Sequence, residues 1–163
     1  MSDHRVRDER RQAEEALASL RRQCELILNS AREGIYSVDL DGNINFINPK
    51  AAEVLKWTVA ELLGKPAHAT IHHTKSDGSK YPEACPIYAC LRTGATQRVT
   101  NDVFWRKDGT SFRVDYVSAP IKDKGGQIVG AIVIFRDITE RKRAEKRLIG
   151  LLSIGISRGD RPK

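Results

Sequence analysis

The segment IHHTKSDGSKYPEACPIYAC, residues 71–90, concentrates side chains that are able to bind a metal or to react. The adjacent histidines His72 and His73 are followed by Cys85 and Cys90. Imidazole and thiolate groups are common zinc ligands, and the spacing of the two cysteines falls within the range that zinc sites use. These four residues are therefore candidates for a metal site or for redox chemistry.

The local geometry also supports a plainer interpretation. Neighbours on a strand point to opposite faces, and neighbours on a helix are about 100° apart, so His72 and His73 rarely share one ion. Pro86 favours a helix start, and five positions along a helix turn the side chain by about 140°, which separates Cys85 from Cys90. Cys85, near that helix start, is a candidate thiol switch. The alternative interpretation is that both cysteines are buried and unreactive.

Composition restricts the class of protein. The 163 residues suit one domain with flanking segments, and the three cysteines are too few for a disulfide scaffold. The charged start, MSDHRVRDERRQAEE, lacks the apolar core of a secretory signal, and no apolar run reaches the length of a membrane span, so we expect a cytoplasmic protein.

The net charge of +7 is not spread evenly over the chain. Residues 31–135 hold thirteen basic and eleven acidic side chains, whereas residues 136–163 hold nine and four. A nucleic-acid-binding domain is expected to show a basic stripe with stacking aromatics, which this central region lacks. Nucleic acid is therefore not an expected partner.

The residues after Gly34 predict a hairpin and two short helices. The runs IYSVDL and INFIN flank Asp41-Gly42-Asn43, a strong hairpin turn signal. Pro49 suits the first turn of a helix, and Thr58 with Glu61 forms a capping-box pattern for the next.

Three longer strands are predicted beyond the histidines. They are QRVTNDVFWR, SFRVDYVSAP and QIVGAIVIFR, joined by Gly-containing turns. The third is almost wholly apolar, which predicts a central strand covered on both faces. The sequence thus predicts an α+β domain with a five-stranded antiparallel sheet.

Helices are predicted at both ends. Ala13, Leu17, Leu20, Cys24 and Ile27 are spaced 4, 3, 4 and 3, which is the seam of a helix that packs along another helix. Self-pairing and packing on the same chain's own domain both remain open. We divide the chain into an N-terminal dimerisation helix, 1–30, a central domain, 31–138, and an outgoing helix with a frayed tail after Gly155, 139–163.

The order of these signals resembles the PAS family of bacterial signalling modules, as found in sensor histidine kinases of two-component systems. The matching stretches are ILNSAREGIYSVDLDGNINFINPKAAEVLKWTVAELLGK, FWRKDGTSFRVDYVSAPI and IVGAIVIFRDITERKRAE. The resemblance implies strand order 2-1-5-4-3, helices on one face, a small pocket between helices and sheet, and dimerisation through flanking helices. It also implies that Asp137, Ile138 and Thr139 couple the last strand to the outgoing helix, although Asp and Thr are also ordinary helix caps.

The resemblance names no cofactor. Haem-binding relatives use a histidine in the helix before the third strand, and PIYACLRTG has none, so haem would need His68, His72 or His73 instead. The flavin-binding Asn-Cys-Arg-Phe-Leu-Gln segment is absent from the sequence. A small-molecule ligand held by His72, His73, Trp105 and Tyr116 is the remaining candidate, and the aromatic pair also fits a plain core role.

No Gly-x-Ser-x-Gly, P-loop or His-Glu-x-x-His pattern is present, so we do not expect an enzyme. The sequence predicts a sensory module that dimerises and couples a pocket ligand or redox event to an output helix and a downstream kinase or regulator. Two alternatives stay open: a ligand-free protein interaction domain, and a metal- or haem-binding sensor.

Overall fold

The computed structural model of the chain describes residues 2–81 and 85–157. The helices within those ranges are α1 (Ser2–Ser30), α2 (Pro49–Leu55), α3 (Val59–Leu62), α4 (Ala67–Ile71), α5 (Pro86–Thr93) and α6 (Thr139–Ser157). The strands are β1 (Gly34–Val38), β2 (Ile44–Ile47), β3 (Gln97–Trp105), β4 (Ser111–Lys122) and β5 (Ile128–Asp137). The structure describes α6 as helical through Ser157, and the rest of the frayed tail expected after Gly155, residues 158–163, lies outside the described part.

The five strands form one antiparallel sheet in the order β2-β1-β5-β4-β3. This confirms the predicted fold class and the strand order that the resemblance implies. The hairpin turn also lies where it was predicted, because Gly42 adopts φ +80° between β1 and β2, a conformation that glycine reaches without a steric penalty. The pairing of β3 with β4 is interrupted by a bulge between Val99 and Asp102.

The short helices begin as their sequences indicate. Asn48 caps α2 by accepting a hydrogen bond from the amide of Ala51 at 2.9 Å, and Pro49 occupies the first turn. Thr58 and Glu61 form a complete capping box at the start of α3. These caps fix where the chain turns on its way to α4.

The core lies between the short helices and one face of the sheet. Its largest fully buried side chains include Tyr36, Phe104, Phe135 and Leu55. The opposite face of β5 is open, since Ile132 and Ile134 are only half-buried and Val129 is 44% exposed. The expectation that β5 is covered on both faces is therefore wrong for the single chain, because the short helices pack on one side.

The terminal helices extend away from the core and leave apolar side chains exposed. On α1 these include Leu17, Leu20 and Ile27, and on α6 they include Leu148 and Leu152. No helix in the described part of the chain is both long and apolar enough to cross a membrane.

Candidate functional site

The helix α4 places two histidines on one face. His68 and His72 are four residues apart, and the amide of His72 donates to the carbonyl of His68 at 3.2 Å, so the helical turn continues to His72. His72 is fully buried, whereas His68 lies half-buried at the edge of the core. This turn directs both imidazoles toward α5.

Both ring nitrogens of His72 have partners. Nε2 lies 2.9 Å from Oδ2 of Asp102, and because a carboxylate only accepts, Nε2 carries the proton. Nδ1 lies 3.1 Å from Sγ of Cys85, the residue that precedes α5. In the neutral ring, Nδ1 accepts from the thiol, so Cys85, His72 and Asp102 form one hydrogen-bonded relay.

Further donors satisfy the carboxylate of Asp102. The hydroxyl of Tyr81 donates to the same Oδ2 at 2.6 Å, and the amide of Val103 donates to Oδ1 at 2.8 Å. The ring of Tyr81 also lies against that of His72, with centroids 3.8 Å apart. These contacts restrict the rotation of both His72 and Asp102.

Electrostatics favour a charged pair here. Burial works to lower the pKa of His72, but its hydrogen bonds to Asp102 and Cys85 outweigh this effect and raise the pKa above its ordinary value. Burial likewise works to raise the pKa of Asp102, and the hydrogen bonds from His72 and Tyr81 lower it instead. The two groups therefore stabilise each other's ionised forms.

His68 completes a group of potential metal ligands. One ring nitrogen each from His68 and His72 and the sulfur of Cys85 all lie within 4.8 Å of one another. The Nδ1 atom of His68 is buried and has no hydrogen-bond partner among the described residues. Burial, and the nearby His72, lower the pKa of His68, which keeps its ring neutral and able to coordinate. We call His68, His72, Cys85 and Asp102 the interior cluster.

The interior cluster adjoins a bulge in β3. Asn101, just before Asp102, has φ +57°, a left-handed conformation that is uncommon for residues other than glycine. The amide of Asn101 donates to Oδ1 of Asp115 at 2.8 Å, and Oδ2 of Asp115 accepts from Arg141 of α6 at 3.0 Å. A short run of contacts thus joins the cluster to the outgoing helix.

The structure divides the predicted ligand-binding residues into two places. Tyr116 is buried beside His72, with ring centroids 5.8 Å apart, and its hydroxyl has no partner among the described residues. His73 points away and stacks on Trp105 with centroids 5.1 Å apart. The indole of Trp105 donates to the carbonyl of Thr74 at 2.8 Å, so this second pair forms part of a surface contact.

The predicted metal or redox residues are also divided. Cys85 contacts His72, whereas Cys90 is buried in the apolar core and is not among the potential metal ligands that the described residues bring together. Sequence reasoning did not combine His68 with His72, and it missed Asp102 and Tyr81. His68 and His72 are four residues apart, a spacing that places both on one face of a helix and was a usable signal. The bulge that positions Asp102 was not visible in the sequence pattern.

Little empty space remains beside the cluster. A cavity of about 10 Å³ is lined by Val38, Ala67, His68, Cys85 and Tyr88, among others. That volume is at the lower limit for a single water molecule. A surface groove of about 340 Å³ lies next to it and shares His68 and Tyr88 with its lining.

The closing residues join β5 to α6 by specific contacts. Oδ1 of Asp137 accepts from the amide of Thr139 at 2.8 Å, and Oδ2 accepts from Arg106 at 3.0 Å. Ile138 is buried, and its amide donates to the carbonyl of Arg113 at 2.9 Å. Asp137 therefore accepts from the first residue of α6 and from the turn that follows β3.

A family model described as the PAS fold matches residues 22–138. The chain belongs to the PAS family. This PAS domain is 28% identical over 138 residues to a probable diguanylate cyclase, DgcE of Escherichia coli, a match that covers 85% of this chain and 12% of that protein. It is 25% identical over 134 residues to the histidine kinase AtoS of the same species, which covers 82% of this chain and 21% of the kinase.

Solved structures agree on the fold. The PAS domain of a Colwellia psychrerythraea protein has a TM-score of 0.63 and 20% identity, and the match covers 74% of this chain and 98% of that one. At this identity the likeness shows the fold alone. This chain spans only a small part of its curated relatives, which are signalling proteins, and it matches them through a sensory type of domain.

Proposed function

We propose that this PAS domain is a sensory module that pairs with a second copy through α1 and transmits changes at the interior cluster to α6. The mechanism is a population shift, in which an input that favours one arrangement of the cluster and the flanking helices increases its share. The three cysteines are free, which fits a reducing, cytoplasmic compartment.

The observation that carries this proposal is the contact path from His72 to α6. His72 bonds Asp102, and the bulge residue next to it, Asn101, contacts β4 twice. Its amide donates to Asp115, which pairs with Arg141, and its carbonyl accepts from Arg113 at 3.2 Å. The carbonyl of Arg113 in turn accepts from Ile138, so both branches end where α6 begins.

The output of the module is a kinase, cyclase or other regulator. DgcE and AtoS carry such names, and this chain corresponds to a fraction of each. Under the proposal, Asp137, Ile138 and Thr139 convert a shift of β5 into a change in the direction or stability of α6. The exposed apolar residues of α6 then meet the output domain or the second copy.

A second candidate is a ligand-free interaction domain. The interior cavity of about 10 Å³ favours it, because an organic ligand at His72 and Tyr116 would require the helices to move apart. In that case α1, α6 and the open sheet face are the surfaces that bind partner proteins, and the interior cluster has a purely structural role.

Hydrogen exchange at the start of α6 separates these candidates. In the proposed sensor, Asp102→Asn removes the charge that holds His72 and the bulge, so we expect faster amide exchange over residues 139–147 while α1 stays unchanged. In an Asp115→Asn background the same substitution should add a smaller increase, because the branch through Asp115 is already removed and only the branch through Arg113 remains.

The control is Asp108→Asn, which removes another hydrogen-bonded carboxylate, one that pairs with Lys56 far from the cluster. It should leave α6 exchange as in the unmodified protein. Equal α6 exchange in Asp102→Asn and in the unmodified protein would contradict the coupling and favour the interaction domain.

A further inference from the structure

We propose that His68, His72 and Cys85 form a binding site for a divalent transition-metal ion of borderline softness, with Zn²⁺ as the reference ion. This names an input for the proposed function and rests on that proposal only for the response of α6. Binding itself is a separate claim about three side chains.

The donor set and its spacing suit such an ion. Two imidazoles and one thiolate are ligands that zinc and its neighbours prefer over calcium or magnesium. In a tetrahedral site the ligand atoms lie roughly 3.3–3.6 Å apart, as follows from zinc–nitrogen and zinc–sulfur bond lengths. Nδ1 of His72 and Sγ of Cys85 are already 3.1 Å apart, and the nitrogen of His68 is within 4.8 Å of both. Small side-chain rotations are enough to complete the site.

The surroundings of His72 match those of metal-bound histidines. A ligating imidazole usually donates its other N–H to a carboxylate, which fixes the ring and increases its basicity. Here Nε2 of His72 donates to Asp102, and Tyr81 holds the same carboxylate oxygen at 2.6 Å. The lone pair of Nδ1 is thereby directed at Cys85, where an ion would lie. Asp102 is a positioning residue in this arrangement.

His68 supplies the independent observation. Its buried Nδ1 lacks a partner among the described residues, and such a group costs free energy unless something satisfies it. His68 also lines both the small cavity and the surface groove of about 340 Å³. It is therefore placed to receive an ion from the surface and to pass it to the two buried ligands.

Burial distinguishes this site from a peroxide-sensing thiol. Cys85 is only 1% exposed, and a sensor cysteine has to meet its oxidant in solution. A metal ion that enters past His68 does not need a cavity as large as an organic ligand requires. On binding, the thiol of Cys85 and, where the ring is ionised, Nδ1 of His72 lose their protons to solvent; the thiolate forms the metal–sulfur bond and Nδ1 the metal–nitrogen bond, with no change in oxidation state.

Cobalt titration tests the site. Protein treated with chelator and reductant is titrated with Co²⁺ without oxygen. We expect a thiolate-to-cobalt charge-transfer band in the near ultraviolet, visible bands of tetrahedral intensity, saturation at one ion per chain, and loss of the bands when Zn²⁺ is added. Cys85→Ala should remove the charge-transfer band. Asp102→Asn should weaken binding by about 10-fold to 100-fold while the thiolate band remains.

Matched controls exclude binding elsewhere. His68→Gln should weaken Co²⁺ binding at least about 10-fold, whereas His73→Gln, at the neighbouring histidine, should not. Cys24→Ser and Cys90→Ala should leave the spectrum unchanged, because neither cysteine belongs to the group of ligand atoms that His68, His72 and Cys85 form. Absence of the thiolate band, or a band that follows Cys24 instead of Cys85, would overturn the metal site.

A second readout keeps the two proposals separate. Hydrogen exchange over residues 139–147 is measured with and without Zn²⁺. Slower or faster exchange that requires Cys85 supports both proposals. Zn²⁺ binding through Cys85 with unchanged α6 exchange upholds the site and contradicts the coupling. If Zn²⁺ does not bind, the metal site is refuted, and the Asp102 and Asp115 variants still test the coupling between the interior cluster and α6.

Discussion

At the scale of single residues, the closest backbone approach around a glycine lies between β1 and β5. A Cβ built on Gly130 would fall well inside van der Waals contact with the carbonyl oxygen of Val38. That atom belongs to the β1 backbone, which is paired with β5 and cannot move freely. The absence of a side chain at Gly130 therefore determines how closely these strands pack.

We expect Gly130→Ala to destabilise the domain by about 1–3 kcal/mol, as overpacking in a core does. Chemical unfolding measured by circular dichroism checks this. The control is Gly125→Ala in the exposed turn before β5, where the new methyl group meets only the side chain of Asp123 at 3.3 Å. It should change stability by less than about 0.5 kcal/mol. Equal effects of the two substitutions would refute the packing explanation.

Sequence patterns could identify candidate residues but not their partners. The sequence predicted His72 and Cys85 as candidate binding or reactive groups, because their chemistry and proximity in sequence are visible, and the structure places their side chains in contact. Asp102 is thirty residues from His72, and its contact with that ring depends on the bulge at Asn101. A bulge shifts which side chains face inward, and the alternation pattern of β3 alone does not show it.

At the scale of elements, the start of α3 shows how local chemistry holds a short helix. Helices this short are unstable alone, so caps and packing decide whether they form. The carboxylate of Glu61 accepts from the amide and hydroxyl of Thr58, each at 3.0 Å, and pairs with Lys107. The hydrogen bond from Lys107, then those from Thr58, lower the pKa of Glu61 from 4.5 to about 2.

The stability contributed by Glu61 should depend on pH. A lowered pKa in the folded state means that the ionised form stabilises the domain. This contribution is complete above the ordinary value of 4.5 and is lost as the pH falls toward about 2. We expect Glu61→Gln to be less stable than the unmodified protein at pH 7, and the difference to shrink between pH 5 and pH 2. Urea unfolding across that range measures it.

A suitable control is Glu53→Gln, which removes an exposed carboxylate that pairs with Lys50 three residues earlier. Exposed pairs of this kind contribute little, so its effect should be small at every pH. A gap between Glu61→Gln and the unmodified protein that stays constant down to pH 2 would contradict the role assigned to the capping box.

The elements differ in how far their sequences reveal them. The hairpin, the capping box and the three long strands follow from turn residues and alternation, and all were predicted. The helix α4 spans five residues from Ala67 and has no side-chain cap, so no capping motif marks its start. It forms because Ala67 and Ile71 pack into the core, and this is what turns His68 and His72 toward Cys85.

At the scale of the whole molecule, the open face of the sheet, α1 and α6 all leave apolar surface uncovered. Val129 is exposed on the sheet, Leu17 on α1 is 67% exposed, and Leu148 on α6 is 60% exposed. The apolar pattern of the sequence predicted that the sheet face and the seam of α1 are buried, but it could not show that no described part of the same chain covers them. Under the proposed function, a second copy paired along α1 covers the seam that runs from Ala13 to Ile27.

We expect a parallel α1 pair, because Ala13, Leu17, Leu20, Cys24 and Ile27 then meet their own counterparts. The reduced protein should have about twice its chain mass of 18.3 kDa in light scattering. Mild oxidation should then join the two chains through Cys24, since Cys85 and Cys90 are buried. Leu20→Glu, on the seam, should give a monomer that forms little Cys24–Cys24 disulfide. Leu26→Glu, at a leucine that is 69% exposed but off the seam, should still pair and form the disulfide. A dimer that resists joining at Cys24 points to an antiparallel arrangement, and a monomeric unmodified protein would refute self-pairing through α1.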